Sequence, residues 1–339
     1  MNIGVCGTGN IASWVSSFIN QINDENIVLY ACAGRTQANT QAFAEKFGWK
    51  KVYTDYDSLM TDPEVDVIYV AVPNTFHYDL CMKAIEAGKG VICEKPFAMN
   101  YRETREIIEK AEEKGVFLSE ALWPSFLPIR KLVRDEIEAG TIGEVVAGEI
   151  TQWDNLTFLP RVMDFKLGGG ALLDEGPYAV GATTDYFGTE IESVTASVRK
   201  FKTGVDADSH YDIVYKNGVK VHVHQTMDYP NDQHLNNVMI IGTKGKISMN
   251  AVSNPTECKV YDEYGKPIKS IEIPPQLKNQ GMPPVAGYEH EWIAFEKAFR
   301  EGKTETEEVP HAKSLAIARV LAEVRTQGGV IFPAEGELF

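Results

Sequence analysis

The chain has 339 residues, 44% hydrophobic and 24% charged, which excludes disorder as the main state and, at roughly 150 residues per domain, leaves room for two cored domains. Its 33 Lys and Arg stand against 48 Asp and Glu, a net charge of -15, and no basic run is long enough for a nucleic-acid stripe. Nucleic acid is therefore excluded as a partner, and an anionic ligand must be held by helix N-termini, backbone amides or a single Arg.

The first third alternates β-branched runs with amphipathic segments. The runs Ile3–Cys6, Ile27–Ala33, Val67–Val72, Val91–Cys93 and Val116–Leu118 read as strands. Between them, helices are expected over Asn10–Ile22 and over Gln37–Phe47, the latter with Thr36 as N-cap and Gly48 as stop. Further helices are expected from Asn74 to the Gly88 stop and from Tyr101, capped by Asn100, to the Gly115 stop. This alternation predicts right-handed βαβ units and a parallel sheet covered on both faces.

After Glu120 the pattern changes. A helix is expected over Ile129–Glu138, followed by alternating strands Val145–Trp153, Val194–Phe201, Tyr211–Tyr215, Val219–Met227, Val238–Ile241 and Lys246–Met249. Turns at Asn217-Gly218 and Lys244-Gly245 suit antiparallel hairpins, so the expectation is a large, open, mostly antiparallel sheet backed by helices. Late helices Tyr288–Arg300 and Ala312–Gln327 are expected to complete this second domain, and the proline-rich stretch Ile273–Pro284 reads as a loop. The fold class is thus α/β: a dinucleotide-binding domain over 1–121 and an α+β substrate-binding and oligomerisation domain over 122–339.

Five cysteines (Cys6, Cys32, Cys81, Cys93, Cys258) show no C-x-x-C spacing. Three lie in apolar strand-like runs, as free thiols of a reducing, cytoplasmic protein do. No basic segment followed by an apolar stretch opens the chain and no apolar run nears about 18 residues, so neither secretion nor a membrane is expected.

Gly7-Thr8-Gly9-Asn10-Ile11-Ala12 fits G-x-G-x-x-[GA] between a strand and a helix. Gly7 permits the tight turn, Gly9 lets the backbone approach a pyrophosphate, and Ala12 allows close helix–strand packing. The second strand ends in Ala33-Gly34-Arg35-Thr36, with no acid to bind a ribose 2′-hydroxyl. Arg35 instead suits a 2′-phosphate, with Thr36 adding a hydrogen bond, so NADP is expected over NAD.

With Glu94-Lys95-Pro96 following the Val91–Cys93 run, the chain resembles the glucose–fructose oxidoreductase, inositol dehydrogenase and MocA (Gfo/Idh/MocA) family over essentially its full length. The marks are IGVCGTGNIA, VAVPNTFHYDLCMKAIEAGKGVICEKPFAMN, GGGALLDEGPY and YEHEWIAFEKAF. EALWPSF and GGGALLDEGPY are most similar to the branch containing dihydrodiol dehydrogenases and NADP-dependent xylose dehydrogenases.

The resemblance implies Lys95 as the catalytic lysine that hydrogen-bonds the reacting hydroxyl and nicotinamide ribose, with Pro96 orienting it. It implies Asp174 and Tyr178 as the Asp-x-x-x-[His/Tyr] pair, and Trp123 and Arg161 beside the substrate. Val72, Pro73, Asn74, His77 and Glu94 would line the dinucleotide, and a homodimer or homotetramer would form through the C-terminal sheet.

The implied activity is an NAD(P)-dependent oxidoreductase acting on a CH–OH group of a sugar, polyol or cyclic diol, in a site between the domains. Tyrosine is a poor base at neutral pH, and a nearby ammonium such as Lys95 favours its phenolate. Pro177 must fall in a first helical turn or at a kink, so the spacing of Asp174 and Tyr178 is not a plain helical one. Two other readings stay open: an NAD-dependent glycoside hydrolase and a non-catalytic dinucleotide sensor. No metal site is expected, because His222 and His224 alone make none, and Glu289-His290-Glu291 reads as the charged first turn of a helix.

Overall fold

Strands β1 (Asn2–Cys6), β2 (Val28–Ala33), β3 (Lys51–Tyr53), β4 (Val67–Val70), β5 (Gly90–Glu94) and β6 (Leu118–Ala121) form one sheet in the computed structural model. Their order is β3-β2-β1-β4-β5-β6 and every pairing is parallel. The order reverses between β1 and β4, the switch point beside which doubly wound sheets bind ligands at their strand carboxyl ends. β4 and β5 are buried at every residue, as expected of parallel strands covered on both faces. The structure describes residues 1–229, 235–278 and 286–332.

The helix Asn10–Ile22 buries Ala12, Val15, Phe18 and Ile19, a single apolar stripe, and ends on Asn23 in the left-handed region. Helices Gln37–Phe47 and Tyr101–Lys114 fall where the sequence places them, whereas the segment from Asn74 opens as a short 3-10 turn before the helix His77–Glu86. β3 has no counterpart among the expected runs. β6 begins where the expected Val116–Leu118 ends, because its later residues include Ser119 and Glu120, polar yet buried.

The chain divides into two compact units: Met1–Met99, Glu103–Phe126 and Gln276–His311 in the first, Asn100–Arg102, Leu127–Pro275 and Ala312–Phe339 in the second. The helix Tyr288–Arg300 therefore packs with the parallel sheet, not with the second domain as its place in the chain suggests. Aromatic contacts decide this: Tyr288 stacks on Phe18 with centroids 5.3 Å apart, and Trp292 meets the Tyr69 ring edge-on at 5.1 Å.

The second unit carries β7 (Val145–Trp153), β8 (Ile191–Lys200), β9 (Asp206–Tyr215), β10 (Lys220–Thr226), β11 (Leu235–Gly242), β12 (Gly245–Met249), β13 (Cys258–Asp262) and β14 (Pro267–Ser270). The sheet order is β14-β13-β12-β11-β7-β10-β9-β8. All neighbours are antiparallel except β7 and β10. Asn217-Gly218 turns between β9 and β10, with Gly218 at φ 87°. The expected Lys244-Gly245 turn is displaced by one residue: Gly242 pairs Gly245, so Thr243 and Lys244 make the turn. Helices Gly176–Phe187 and His311–Gly328 supply the unit's long apolar segments. Of the stretch Ile273–Pro284, residues 279–284 lie outside the described residues.

Candidate active site

In the first unit the glycine loop joins β1 to the helix Asn10–Ile22. Gly7 has φ 106°, its N–H donates to Ala33 O at 2.9 Å, and a Cβ there would strike the Ala71 carbonyl. Only glycine fits that turn. A Cβ on Gly9, by contrast, would meet nothing within 4 Å. Gly9 and Asn10 are exposed, Thr8 and Ile11 half-buried. The helix that follows has no side-chain cap and no acid in its first turn. An open, uncapped helix start behind a glycine whose side-chain space is empty fits a pyrophosphate.

At the end of β2, Arg35 and Thr36 are exposed. Thr36 occupies the N-cap position of Gln37–Phe47, but its hydroxyl makes no capping bond, which departs from the expected cap. Instead Thr40 Oγ1 donates to the Thr36 carbonyl at 2.8 Å. That Oγ1 would lie 2.6 Å from a Cβ on Gly34, so the turn before Arg35 is closed to larger residues.

The loop after β4 holds Val72, Pro73 and Asn74; the segment after β5 holds Lys95 and Pro96, joined by a cis peptide bond. His77 ties the two segments together. It is fully buried, with Nδ1 2.8 Å from Pro96 O and Nε2 2.9 Å from Val72 O. Its polar atoms thus serve the loops that would line a dinucleotide.

Glu94 is also buried and accepts a hydrogen bond from Tyr69 Oη at 2.5 Å. Burial pushes its carboxyl up to about 7, although Tyr69 and Lys95 pull the other way. Trp123 is 5% exposed and stacks on Tyr288 with centroids 4.8 Å apart.

Sequence reasoning missed Tyr69 and Tyr288 as supports of this side. Tyr288 had a signal, since it opens the YEHEW segment. In that segment Glu289 and Glu291 form the charged first turn expected of them, and they are buried, at 6% and 0% exposed. Among the described residues neither Glu291 oxygen has a hydrogen-bond partner, and burial drives its carboxyl well above the usual range.

In the second unit Arg161 lies in the short helix Pro160–Met163, Asp174 closes the helix Ala171–Asp174, and Tyr178 sits in Gly176–Phe187. Pro177 occupies the first turn of that last helix, so Asp174 and Tyr178 belong to two helical pieces hinged at Glu175. Arg161 grips Asp174 with two parallel bonds, Nη1 to Oδ1 at 2.7 Å and Nη2 to Oδ2 at 3.2 Å. Burial opposes the guanidinium charge, but the Asp174 carboxylate, with Glu175 and Tyr178 adding to it, raises the pKa on balance. The structure thus brings Arg161, Asp174 and Tyr178 together in one unit. Between Arg161 and Asp174, Gly170 at φ 113° lies against the buried carboxylate of Asp206, whose Oδ2 accepts the Leu172 N–H at 2.7 Å.

Residues 1–122 match the family described as oxidoreductase family, NAD-binding Rossmann fold, and residues 131–248 match the GFO/IDH/MocA C-terminal domain. The trans-1,2-dihydrobenzene-1,2-diol dehydrogenase of Macaca fascicularis is 32% identical over 334 residues, 98% of each chain. A 3-ketoreductase from Actinomadura kijaniata, solved with NADP and TDP-benzene, superposes with a TM-score of 0.83 at 24% identity, covering 97% of this chain and 98% of its own. Levoglucosan dehydrogenase, solved with NADH and levoglucosan, gives 0.85 at 21% identity over 97% of each chain. The two structures bear on the fold. With a family match in both halves and a full-length relative above 30% identity, the chain belongs to the Gfo/Idh/MocA family of oxidoreductases, with an NAD-binding Rossmann domain at its N-terminal end.

Proposed function

We propose that this oxidoreductase transfers a hydride between NADP, in preference to NAD, and a CH–OH group of a sugar, polyol or cyclic diol. The observation that carries the reading is the placement of Lys95 at the carboxyl end of β5, in the same unit as the open Gly9 cradle. The nicotinamide, when bound, supplies the hydride acceptor or donor at its C4. Lys95 holds the reacting hydroxyl by a hydrogen bond. Tyr178 takes the hydroxyl proton on oxidation and returns it on reduction. Asp174, pinned by Arg161, orients the substrate, and Trp123 covers its apolar side.

The preference for NADP rests on Arg35 and the uncommitted Thr36 hydroxyl at the end of a strand with no Asp or Glu in positions 34 to 36. The substrate class is supported by the names of the relatives: a trans-1,2-dihydrobenzene-1,2-diol dehydrogenase, a 3-ketoreductase and a levoglucosan dehydrogenase.

We also infer a homodimer or homotetramer through the β7–β14 sheet, supported by exposed Val146 and Leu235 on its strands. A cytoplasmic setting is supported by five buried free thiols; no helix among the described residues is long and apolar enough to cross a membrane. The test of the activity is a panel of sugars, polyols and cyclic diols with NADP and with NAD, read by nicotinamide absorbance. Turnover of at least one member, faster with NADP, is expected. Silence across the panel while dinucleotide binds would overturn the reading.

A further inference from the structure

The outer face of the second sheet carries a cluster that no part of the proposed hydride chemistry uses. His210 on β9 stands directly opposite His224 on β10, and Asp208 lies two residues from His210, so all three side chains leave the same face. The two imidazoles are neighbours, with centroids 3.7 Å apart and planes 20° apart. Asp208 serves both: Oδ1 is 3.4 Å from His210 Nε2 and Oδ2 is 3.2 Å from His224 Nε2. One ligand atom from each residue falls within 4.8 Å of the others.

Those two nitrogen–oxygen separations are longer than the ~2.9 Å usual for an N–H···O bond. The His224 contact is a hydrogen bond; each separation, one per carboxylate oxygen, is also close to the roughly 3.3 Å between two donors that lie about 2.0–2.1 Å from a zinc ion in a tetrahedral shell. We propose that Asp208, His210 and His224 form a binding site for one divalent cation of the zinc class, with water completing the shell. Two imidazoles and one carboxylate are a donor set of borderline softness, which favours Zn²⁺ over Mg²⁺ or Ca²⁺.

The neighbours are accounted for. His222, whose ring centroid is 5.9 Å from that of His210, is paired with Asp212 at 2.7 Å. Arg199, in register with Asp208, is held by Asp228 at 2.7 Å. Burial, together with the nearby His210 and His222, keeps the His224 imidazole below its ordinary pKa on balance against Asp208. Trp153 is the most informative neighbour. Its indole N–H donates to His224 Nδ1 at 2.9 Å, which places the proton of the neutral ring on Nε2. Coordination through Nε2 moves that proton to Nδ1, with no net proton released, and the Trp153 bond must be given up. The two planes must also turn so that both lone pairs converge. Cation binding therefore has a built-in optical reporter. The H-x-H pair read alone is no site; the strand register adds the D-x-H partner.

Calorimetric titration of the full chain with ZnCl₂ at about pH 7.5, with tryptophan emission followed in parallel, tests the site. The wild type is expected to take up one Zn²⁺ per chain with a change in emission. His210→Ala, at a half-exposed position, and Asp208→Asn are each expected to weaken uptake by at least roughly tenfold, as loss of a coordinating group does. Trp153→Phe is expected to keep uptake and lose the emission change. Absence of saturable uptake by the wild type would overturn the proposal. So would equal affinity in both ligand variants, because the ion would then lie elsewhere.

Discussion

The two units build their candidate residues from different materials. In the first, a dinucleotide would meet chiefly backbone: the Gly7–Asn10 loop, the uncapped helix start and the loop after β4, at the buried carboxyl ends of β1 and β4. In the second, the arrangement consists of side chains on short helical pieces, Arg161 clamping Asp174 while Tyr178 follows one hinge later. Backbone sites are fixed by topology and tolerate only glycine at the tight points. Side-chain sites are fixed by pairs of charges and are rewritten by single substitutions.

Substituting Lys95 in the first unit should have the largest effect. Lys95→Ala is expected to lower kcat by roughly 10³-fold, the range of general acid–base assistance, while fluorescence titration still detects dinucleotide binding to the backbone cradle. If binding falls with turnover, the two functions of that unit are not separable. On the other side, Tyr178→Phe is expected to lower kcat by about 10²-fold with KM little changed; stopped-flow hydride transfer measures it.

A third test concerns stability. The Glu94 carboxyl, raised by burial from 4.5 to about 7, keeps its proton in the folded state where the unfolded chain has lost it. Its contribution is complete below pH 4.5 and declines as pH rises through 7, by about 3 kcal/mol in all at ~1.4 kcal/mol per unit. Glu94→Gln stays neutral, so its stability relative to wild type should rise by most of that amount, roughly 2.5 kcal/mol, between pH 5 and pH 8. Urea melts at the two pH values that run parallel would reject this.

The smallest effect concerns cofactor choice. Arg35→Asp should weaken NADP by one to two decades, about 1.5–3 kcal/mol, and leave NAD unchanged or improved. Equal losses for both dinucleotides in titration would make Arg35 an adenine platform instead.

The same contrast governs what could be read from residues alone. Helices Asn10–Ile22, Gln37–Phe47 and Tyr288–Arg300 and strand Val145–Trp153 have the observed bounds because strong periodicity and clear stops coincide. The parallel order followed from alternation. Strands β13 and β14 escaped, the latter exposed throughout, since no hydropathy pattern marks an edge strand that buries nothing. The parallel pairing of β7 with β10 leaves no local trace either. At the site, the glycine loop was legible because close approach demands glycine. The Arg161–Asp174 clamp was not, because nothing in the 13-residue separation says the two side chains meet.

His77 has a consequence for Lys95. Its burial keeps the ring below its ordinary pKa, so at neutral pH the imidazole has a single N–H. Yet both nitrogens face carbonyl oxygens, Pro96 on one side and Val72 on the other. One carbonyl is donated to while the other confronts a lone pair. With one N–H to share, the imidazole holds the Lys95–Pro96 segment and the Val72 loop unequally, whichever tautomer is present.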